Sequence, residues 1–345
     1  MPTPPRLRSI FGQNSGRALL LALAGLAACQ PQRPPADAAA APPVGHYQGS
    51  IGATGSPQLK ASLDIRHPRE GHYDAELTVP GAPALSFVAD TLLLAGSQLR
   101  LVRPARPGQM LTLTREGDFW RGTMVLDSQK TSVLLLRRGP PAPASYRVRR
   151  VELSPQTVLQ FAPADESTTG PGLFMLPDSA GGLGAAGWGD ALARQGAVMQ
   201  LPVATDCPAA GDTATASYLR FYLSFLRGYP GVDTAQVGLW LSGRQARALP
   251  AALADTAGHL PTLAFVVVLH PAALSARDQA AWRRVGRKLR ILVLFYKTEA
   301  RAATSWQVAL AGSQRGRVVR RYPATDPGTA LMQTDVADWL RQLKK

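Results

Sequence analysis

Two rhythms of apolar and polar positions divide this chain. Between residues 45 and 139 the period is two: Leu59, Ala61, Leu63 and Ile65 alternate with polar neighbours, and Tyr73, Ala75, Leu77 and Val79 do the same. Further runs of this kind stand at 84–89, 98–103, 110–115, 118–125 and 132–137. Turn-forming clusters separate them, among them His-Pro-Arg-Glu-Gly at 67–71, Pro-Gly-Ala-Pro at 80–83 and Glu-Gly-Asp at 116–118. Many short strands, each with one buried face, predict an antiparallel all-β module closed as a barrel or a sandwich. Tyr47 and Trp120 are the bulky residues expected to fill its interior, as side chains fill most small barrels.

The Pro- and Ala-rich stretch 139–145 reads as a linker, and the rhythm changes after it. Strands are predicted at 146–153 and 158–163, joined as a hairpin, then at 173–176, 197–201, 236–241, 263–269, 290–296 and 317–322. Helical stretches lie between them at 246–257, 275–285 and 302–311. Tyr218, Phe221, Tyr222 and Phe225 recur at i, i+3, i+4 and i+7 and predict one apolar helix face. The last helix, 329–343, places Met332, Val336, Trp339, Leu340 and Leu343 on one stripe. Strands alternating with helices over 146–345 predict a doubly wound, mainly parallel sheet covered on both faces.

The stretch 236–250 organises that second domain. Gln236 to Leu241 reads as a buried strand, Ser242 and Gly243 follow at once, and a helical segment comes next. A strand that turns sharply on a small polar residue into a helix is where α/β-hydrolases hold their nucleophile. Eight strands, the second antiparallel and a serine directly after the fifth, resemble the α/β-hydrolase fold. With its leader and β module, the chain is similar to serine-hydrolase lipoproteins of bacterial envelopes. The resemblance implies Ser242 as nucleophile, Glu299 after the seventh strand as orienting acid, and an oxyanion loop after the third strand containing Ser179 and Gly181.

At its motifs the chain departs from that family. G-x-S-x-G would place glycine at 240 and 244, where Trp240 and Arg244 stand. The histidine expected after the eighth strand is replaced by Pro327, and no histidine follows His270. His270 ends the sixth strand at the same sheet edge and is the alternative base. In the oxyanion loop His-Gly has become Pro177-Asp178, and a carboxylate there opposes a developing oxyanion. Ser242 is equally suited to a helix N-cap. Two functions therefore stand open: a binding or structural domain with weak or no catalysis, and a working hydrolase of small esters using Ser242, His270 and Glu299.

The N-terminus adds a location. Arg6, Arg8 and Arg17 precede an apolar run at 18–28 and Cys29. Leu26-Ala27-Ala28-Cys29 resembles a bacterial lipobox, which implies that residues 1–29 form a lipoprotein signal whose cysteine is acylated. Residues 30–44 read as a polar, extended tether. The expected partner is thus a membrane, reached through the lipid anchor, on the periplasmic or outer-membrane face of the envelope. The formal charge is +15, and loss of a leader with three arginines and no acid leaves +12. An anionic envelope polymer or lipid is a further expected partner. Aromatic residues do not interleave the basic runs, which argues against nucleic acid. Cys207 is the one other cysteine, so a structural disulfide is not expected. The five histidines show no metal-ligand spacing, and Gly181-Gly182-Leu183-Gly184 lacks the Lys-Ser/Thr of a P-loop. No metal or cofactor is implied.

Overall fold

A computed structural model describes residues 43–53, 57–82, 85–89, 91–103, 106–126, 129–153, 156–176, 182–203, 214–254, 261–285, 289–311, 317–324 and 326–343. Cys29, Asp178, Ser179, Gly181 and Cys207 lie outside them.

The alternating segment forms nine strands: β1 (Gly45–Gly52), β2 (Leu59–Arg69), β3 (His72–Thr78), β4 (Phe87–Ala89), β5 (Thr91–Ala95), β6 (Gln98–Arg103), β7 (Arg106–Glu116), β8 (Phe119–Leu126) and β9 (Gln129–Gly139). They make one sheet in the order β4-β3-β2-β1-β9-β8-β7-β6-β5. Every pairing in it is antiparallel. The two end strands, β4 and β5, are consecutive in the chain; β4 lies against β6 and β5 against β3, so the sheet curls almost into a barrel. Leu63, Leu101, Leu113 and Leu135 fill the interior, where Tyr47 meets Trp120 edge-on at 6.3 Å between ring centroids. Alternation does not disclose β1, which is rich in glycine, or β5, whose Leu-Leu-Leu run has no period.

The second segment forms β10 (Tyr146–Leu153), β11 (Gln156–Pro163), β12 (Gly170–Leu176), β13 (Val198–Pro202), β14 (Val232–Ser242), β15 (Phe265–Leu269), β16 (Arg290–Tyr296) and β17 (Arg317–Tyr322). The sheet order is β10-β11-β13-β12-β14-β15-β16-β17. Pairings of β11 are antiparallel and the remainder parallel. Counted within the sheet, the order is 1-2-4-3-5-6-7-8, the doubly wound arrangement the resemblance implies. The described helices are α1 (Gly182–Ala193), α2 (Ala214–Arg227), α3 (Ala248–Ala254), α4 (Ala276–Val285), α5 (Ala300–Leu310) and α6 (Asp326–Gln342). One face of the sheet packs on Leu219, Leu223 and Leu226 of α2, Trp282 of α4 and Trp306 of α5. The other packs on Trp188 and Leu192 of α1 and on Met332, Val336 and Trp339 of α6. Gly238 on β14 sits beside Phe265 on β15, and a Cβ at Gly238 would lie 2.4 Å from the Phe265 ring.

The apolar stripe of α2 differs from the one predicted. Leu219, Tyr222, Leu223 and Leu226 are buried, whereas Phe221 is 47% exposed. Tyr222 of the expected stripe is buried and Tyr218 packs partly against the core, while the aliphatic leucines complete the face that docks. One residue on an α-helix is a rotation of about 100°, enough to carry Phe221 from core to solvent. Among the described residues no helix is long and apolar enough to cross a membrane.

Candidate functional site

Register brings the exits of three parallel strands level. Ser242 at the end of β14 pairs with Leu269 on β15, and Leu269 pairs with Leu294 on β16. The next residues, Gly243 and His270, and the 3₁₀ turn Lys297–Glu299 therefore meet at one edge. His270 is fixed there by three groups and a constrained backbone. Its backbone has φ of 47°, the one positive φ at a non-glycine among the described residues. Its N–H donates to the Leu294 carbonyl at 2.9 Å. Its ring stacks on Tyr296, with centroids 4.2 Å apart. Its Nδ1 lies 2.8 Å from Glu299 Oε2. The same carboxylate oxygen accepts the Tyr296 N–H at 2.6 Å, which also ties down the start of the 3₁₀ turn.

The protonation pattern follows from the partners. An ionised carboxylate only accepts, so Nδ1 of His270 carries the hydrogen and Nε2 of the neutral ring is an acceptor. The His270 and Glu299 side chains are 25% and 29% exposed. They open onto a groove of about 480 Å³ lined by Gly243, Ala272, Thr298 and Arg301 as well. Its wall is held by Trp306, whose Nε1–H donates to the Ala272 carbonyl at 3.1 Å. The ester-hydrolase reading of the sequence joins His270 to Glu299, and the fold places the two side chains in contact.

Ser242 occupies a different position from the one an elbow nucleophile requires. It is still part of β14 and half-buried, and among the described residues it makes no hydrogen bond to His270 or Glu299. The turn itself falls at Gly243, with φ of 53°, which begins the 3₁₀ segment Gly243–Arg247. In a nucleophile elbow the nucleophile is the residue on the sharp turn. Here that residue has no side chain. Trp240, where the motif has glycine, is buried on the α1 face of the sheet, 4.6 Å from Trp188 between ring centroids. The oxyanion-loop residues Ser179 and Gly181 lie outside the described residues. At the exit of the eighth strand the backbone of Pro327 belongs to α6. That exit is tied by Tyr322, whose hydroxyl donates to Asp335 at 2.6 Å, and by Arg320, 2.5 Å from the same carboxylate. Burial works against the charge on Asp335, but the bonds from Tyr322 and Arg320 outweigh it and hold the carboxyl below its ordinary value.

A second polar cluster joins the two sheets, and the sequence reading passed over it. Asp190 on α1 is paired with Arg103 on β6, both fully enclosed. Arg103 also donates to Gln109 Oε1 at 2.6 Å. The Tyr146 hydroxyl donates to Asp190 at 2.8 Å and accepts the Val88 N–H at 3.0 Å. The Arg194 guanidinium lies over the Tyr146 ring, 4.7 Å from its centroid, and 3.5 Å from Glu76. Burial pushes the Asp190 carboxyl up, against the pull of Arg103, and pushes the Tyr146 hydroxyl well above its ordinary value. Two signals could have found this cluster. Period-two alternation places Arg103 on the inward face with Leu99 and Leu101. Asp190 is the sole charge in the helix Gly-Leu-Gly-Ala-Ala-Gly-Trp-Gly-Asp-Ala-Leu-Ala. A larger cavity of about 540 Å³ lies at the opposite sheet edge, near Ser145, Thr169, Arg194 and Arg341, and contains no histidine. Among the described residues no three His, Cys, Asp or Glu side chains converge as metal ligands.

No family model matches the chain, and no curated relative matches it. Solved structures do. A protein of Klebsiella pneumoniae assigned as a dienelactone hydrolase is 11% identical, with a TM-score of 0.46, over 57% of this chain and 99% of its own. An esterase of the archaeon Pyrobaculum calidifontis is 13% identical, with a TM-score of 0.42, over 57% of this chain and 86% of its own. A prolyl endopeptidase is 10% identical, with a TM-score of 0.39, over 86% of this chain and 64% of its own. The strand order 1-2-4-3-5-6-7-8, with its antiparallel second strand, gives the domain carrying β10 to β17 the α/β-hydrolase fold.

Proposed function

We propose that this is a lipid-anchored envelope protein whose α/β-hydrolase-fold domain holds a small ligand in the His270–Glu299 groove and has lost the covalent serine chemistry of that fold. One observation carries the loss of chemistry: the turn residue after β14 is Gly243. Acyl transfer needs a nucleophile on that turn with a base in hydrogen-bond reach. Gly243 supplies no nucleophilic atom, and Ser242, one residue earlier, has no hydrogen bond to His270. A serine hydroxyl without a base is a poor nucleophile at neutral pH. A groove of about 480 Å³ is the size of a small-molecule site. The anchor reading rests on Arg6, Arg8 and Arg17, the apolar run and Cys29. Acyl chains on Cys29, at about 0.8 kcal/mol per buried CH₂, would keep the chain on the membrane. The basic balance supports a further contact with anionic envelope polymer or lipid, weakened as salt rises.

The test is labelling of the full chain, in detergent, with a fluorophosphonate probe, beside Ser242→Ala. The folded wild-type protein is expected to remain unlabelled. Labelling confined to wild type would overturn the proposal in favour of a second reading, a serine ester hydrolase. The His270–Glu299 contact at 2.8 Å favours that second reading, since it supplies an oriented base one residue past the strand partner of Ser242.

A further inference from the structure

We infer that His270, positioned by Glu299, is a general base that acts on water rather than on a serine, so that the groove hydrolyses small activated esters without an acyl-enzyme. The inference rests on the reading that Ser242 is not an activated nucleophile, and it gives the groove a substrate class.

Four observations converge on His270. First, its positive φ is a conformation that costs free energy at a residue with a Cβ, and such positions persist where the surroundings over-determine them, commonly at functional sites. Second, Glu299 and the Tyr296 ring fix the imidazole from one edge and one face. Third, Nε2 makes no hydrogen bond among the described residues, on a ring that is partly open to the groove. Fourth, Gly243, the residue on the turn after β14, lines the groove, so no side chain stands where an elbow nucleophile would. A water molecule or a substrate group can occupy that space. Arg301 lines the same groove and is the cation available there to an oxyanion.

A contrast within the molecule separates this pair from a structural one. His46 also meets a carboxylate, Asp64, at 2.7 Å. His46 sits at a register shift of β1, and Asp64, its side chain 9% exposed, also accepts the Ala142 N–H at 2.7 Å, much as Glu299 accepts the Tyr296 N–H. That pair holds the chain between the two sheets. The His270–Glu299 pair differs in that both of its side chains line the groove.

The step balances with water as the co-reactant. Nε2 of His270 takes a proton from water as the water oxygen bonds to the ester carbonyl carbon. The tetrahedral oxyanion forms beside Arg301. Its collapse breaks the bond to the leaving oxygen, which takes the proton back from Nε2. The products are a carboxylic acid and an alcohol, and the histidine returns to its neutral form.

The probe is 4-nitrophenyl acetate with the full chain in detergent. Wild type is expected to turn it over without a burst. General-base catalysis is worth roughly 10²–10⁴ in rate, so His270→Ala should lower kcat/KM at least about 100-fold, with partial restoration by free imidazole. Ser242→Ala and the control His46→Ala should stay within about twofold of wild type. Glu299→Gln, a positioning change, should lower kcat and leave KM in place. Should His270→Ala not fold, His270→Asn repeats the test, because Asn tolerates a positive φ. Turnover that survives the loss of His270, or no turnover by wild type, overturns the inference and leaves the ligand-binding reading standing. Turnover abolished by Ser242→Ala, with fluorophosphonate labelling, overturns both.

Discussion

Ser242 and Gly243 are neighbours with unlike backbones, and the chemistry turns on which of them is the corner. A sequence offers the serine because its side chain is visible; the strand, however, keeps Ser242 in register with Leu269 and turns only at Gly243. Backbone conformation, rather than side-chain identity, moves the nucleophile position one residue along. A different single residue sets a stability question. Gln200 on β13 is 0% exposed, and among the described residues neither its amide oxygen nor its amide nitrogen has a hydrogen-bond partner. Its strand neighbours are Gln160, whose Nε2 also lacks a partner, and Phe174. A buried, unpaired polar group costs about 1–3 kcal/mol. Gln200→Leu, which keeps most of the volume, should therefore stabilise the fold and raise Tm by several degrees, at about 2–4 °C per kcal/mol for a domain of this size. A thermal melt in which Gln200→Leu unfolds below wild type would show that the amide is satisfied in solution.

Helix α2 shows what one element's pattern can and cannot say. Tyr222 is 2% exposed and stacks on Phe174 at 4.9 Å between centroids, while Phe221 beside it faces solvent. Truncating a buried aromatic costs about 3–5 kcal/mol, whereas surface changes stay within about 0.5 kcal/mol. Tyr222→Ala should accordingly collapse the urea midpoint and Phe221→Ala should leave it nearly unmoved. Equal effects would mean that the helix docks by the aromatic face its sequence suggests. Strands are more legible than this helix face: 98–103 alternates with a period of two, 290–296 is a short continuous apolar run between helical stretches, and both expected ranges coincide with the observed strands. The short Leu-Leu-Leu run of β5, directly after another apolar run, gives no separate signal. Of the candidate site, the residue types and the option of a His270–Glu299 pair are legible in the sequence, and the backbone that puts the corner at Gly243 is not. His270 and Glu299 are 29 positions apart and come together only because β15 and β16 are adjacent and end level.

At the scale of the molecule, the β module and the parallel sheet are held by charge as well as by apolar contact. Residues 41–345 form one compact unit, and Val88 of β4 packs in the same apolar cluster as Tyr146, Trp188 and Leu192. Through that seam run the Arg103–Asp190 pair, the Tyr146 hydroxyl and the Arg194–Glu76 contact. The stretch 139–145, which composition marks as a linker, is itself fastened. Arg66 donates to the Ala142 carbonyl at 2.6 Å, and the Ser145 N–H donates to Glu76 at 3.3 Å. Glu76 thereby holds Arg66 from its own module, the connecting segment and Arg194 of the other sheet. A buried pair is weak evidence for net stability, but removing one partner strands the other charge and costs about 3–5 kcal/mol. Asp190→Ala should therefore lower stability by about that amount. Arg103→Met combined with Asp190→Ala should cost less than Asp190→Ala alone, because no unpaired guanidinium remains buried. Calorimetry should show a single transition in wild type, with both sheets melting together. Two separate transitions, or a double variant whose loss equals the sum of the singles, would mean that the seam does not couple the modules. In that case the groove at the end of β14 would gain nothing in rigidity from the β module before it.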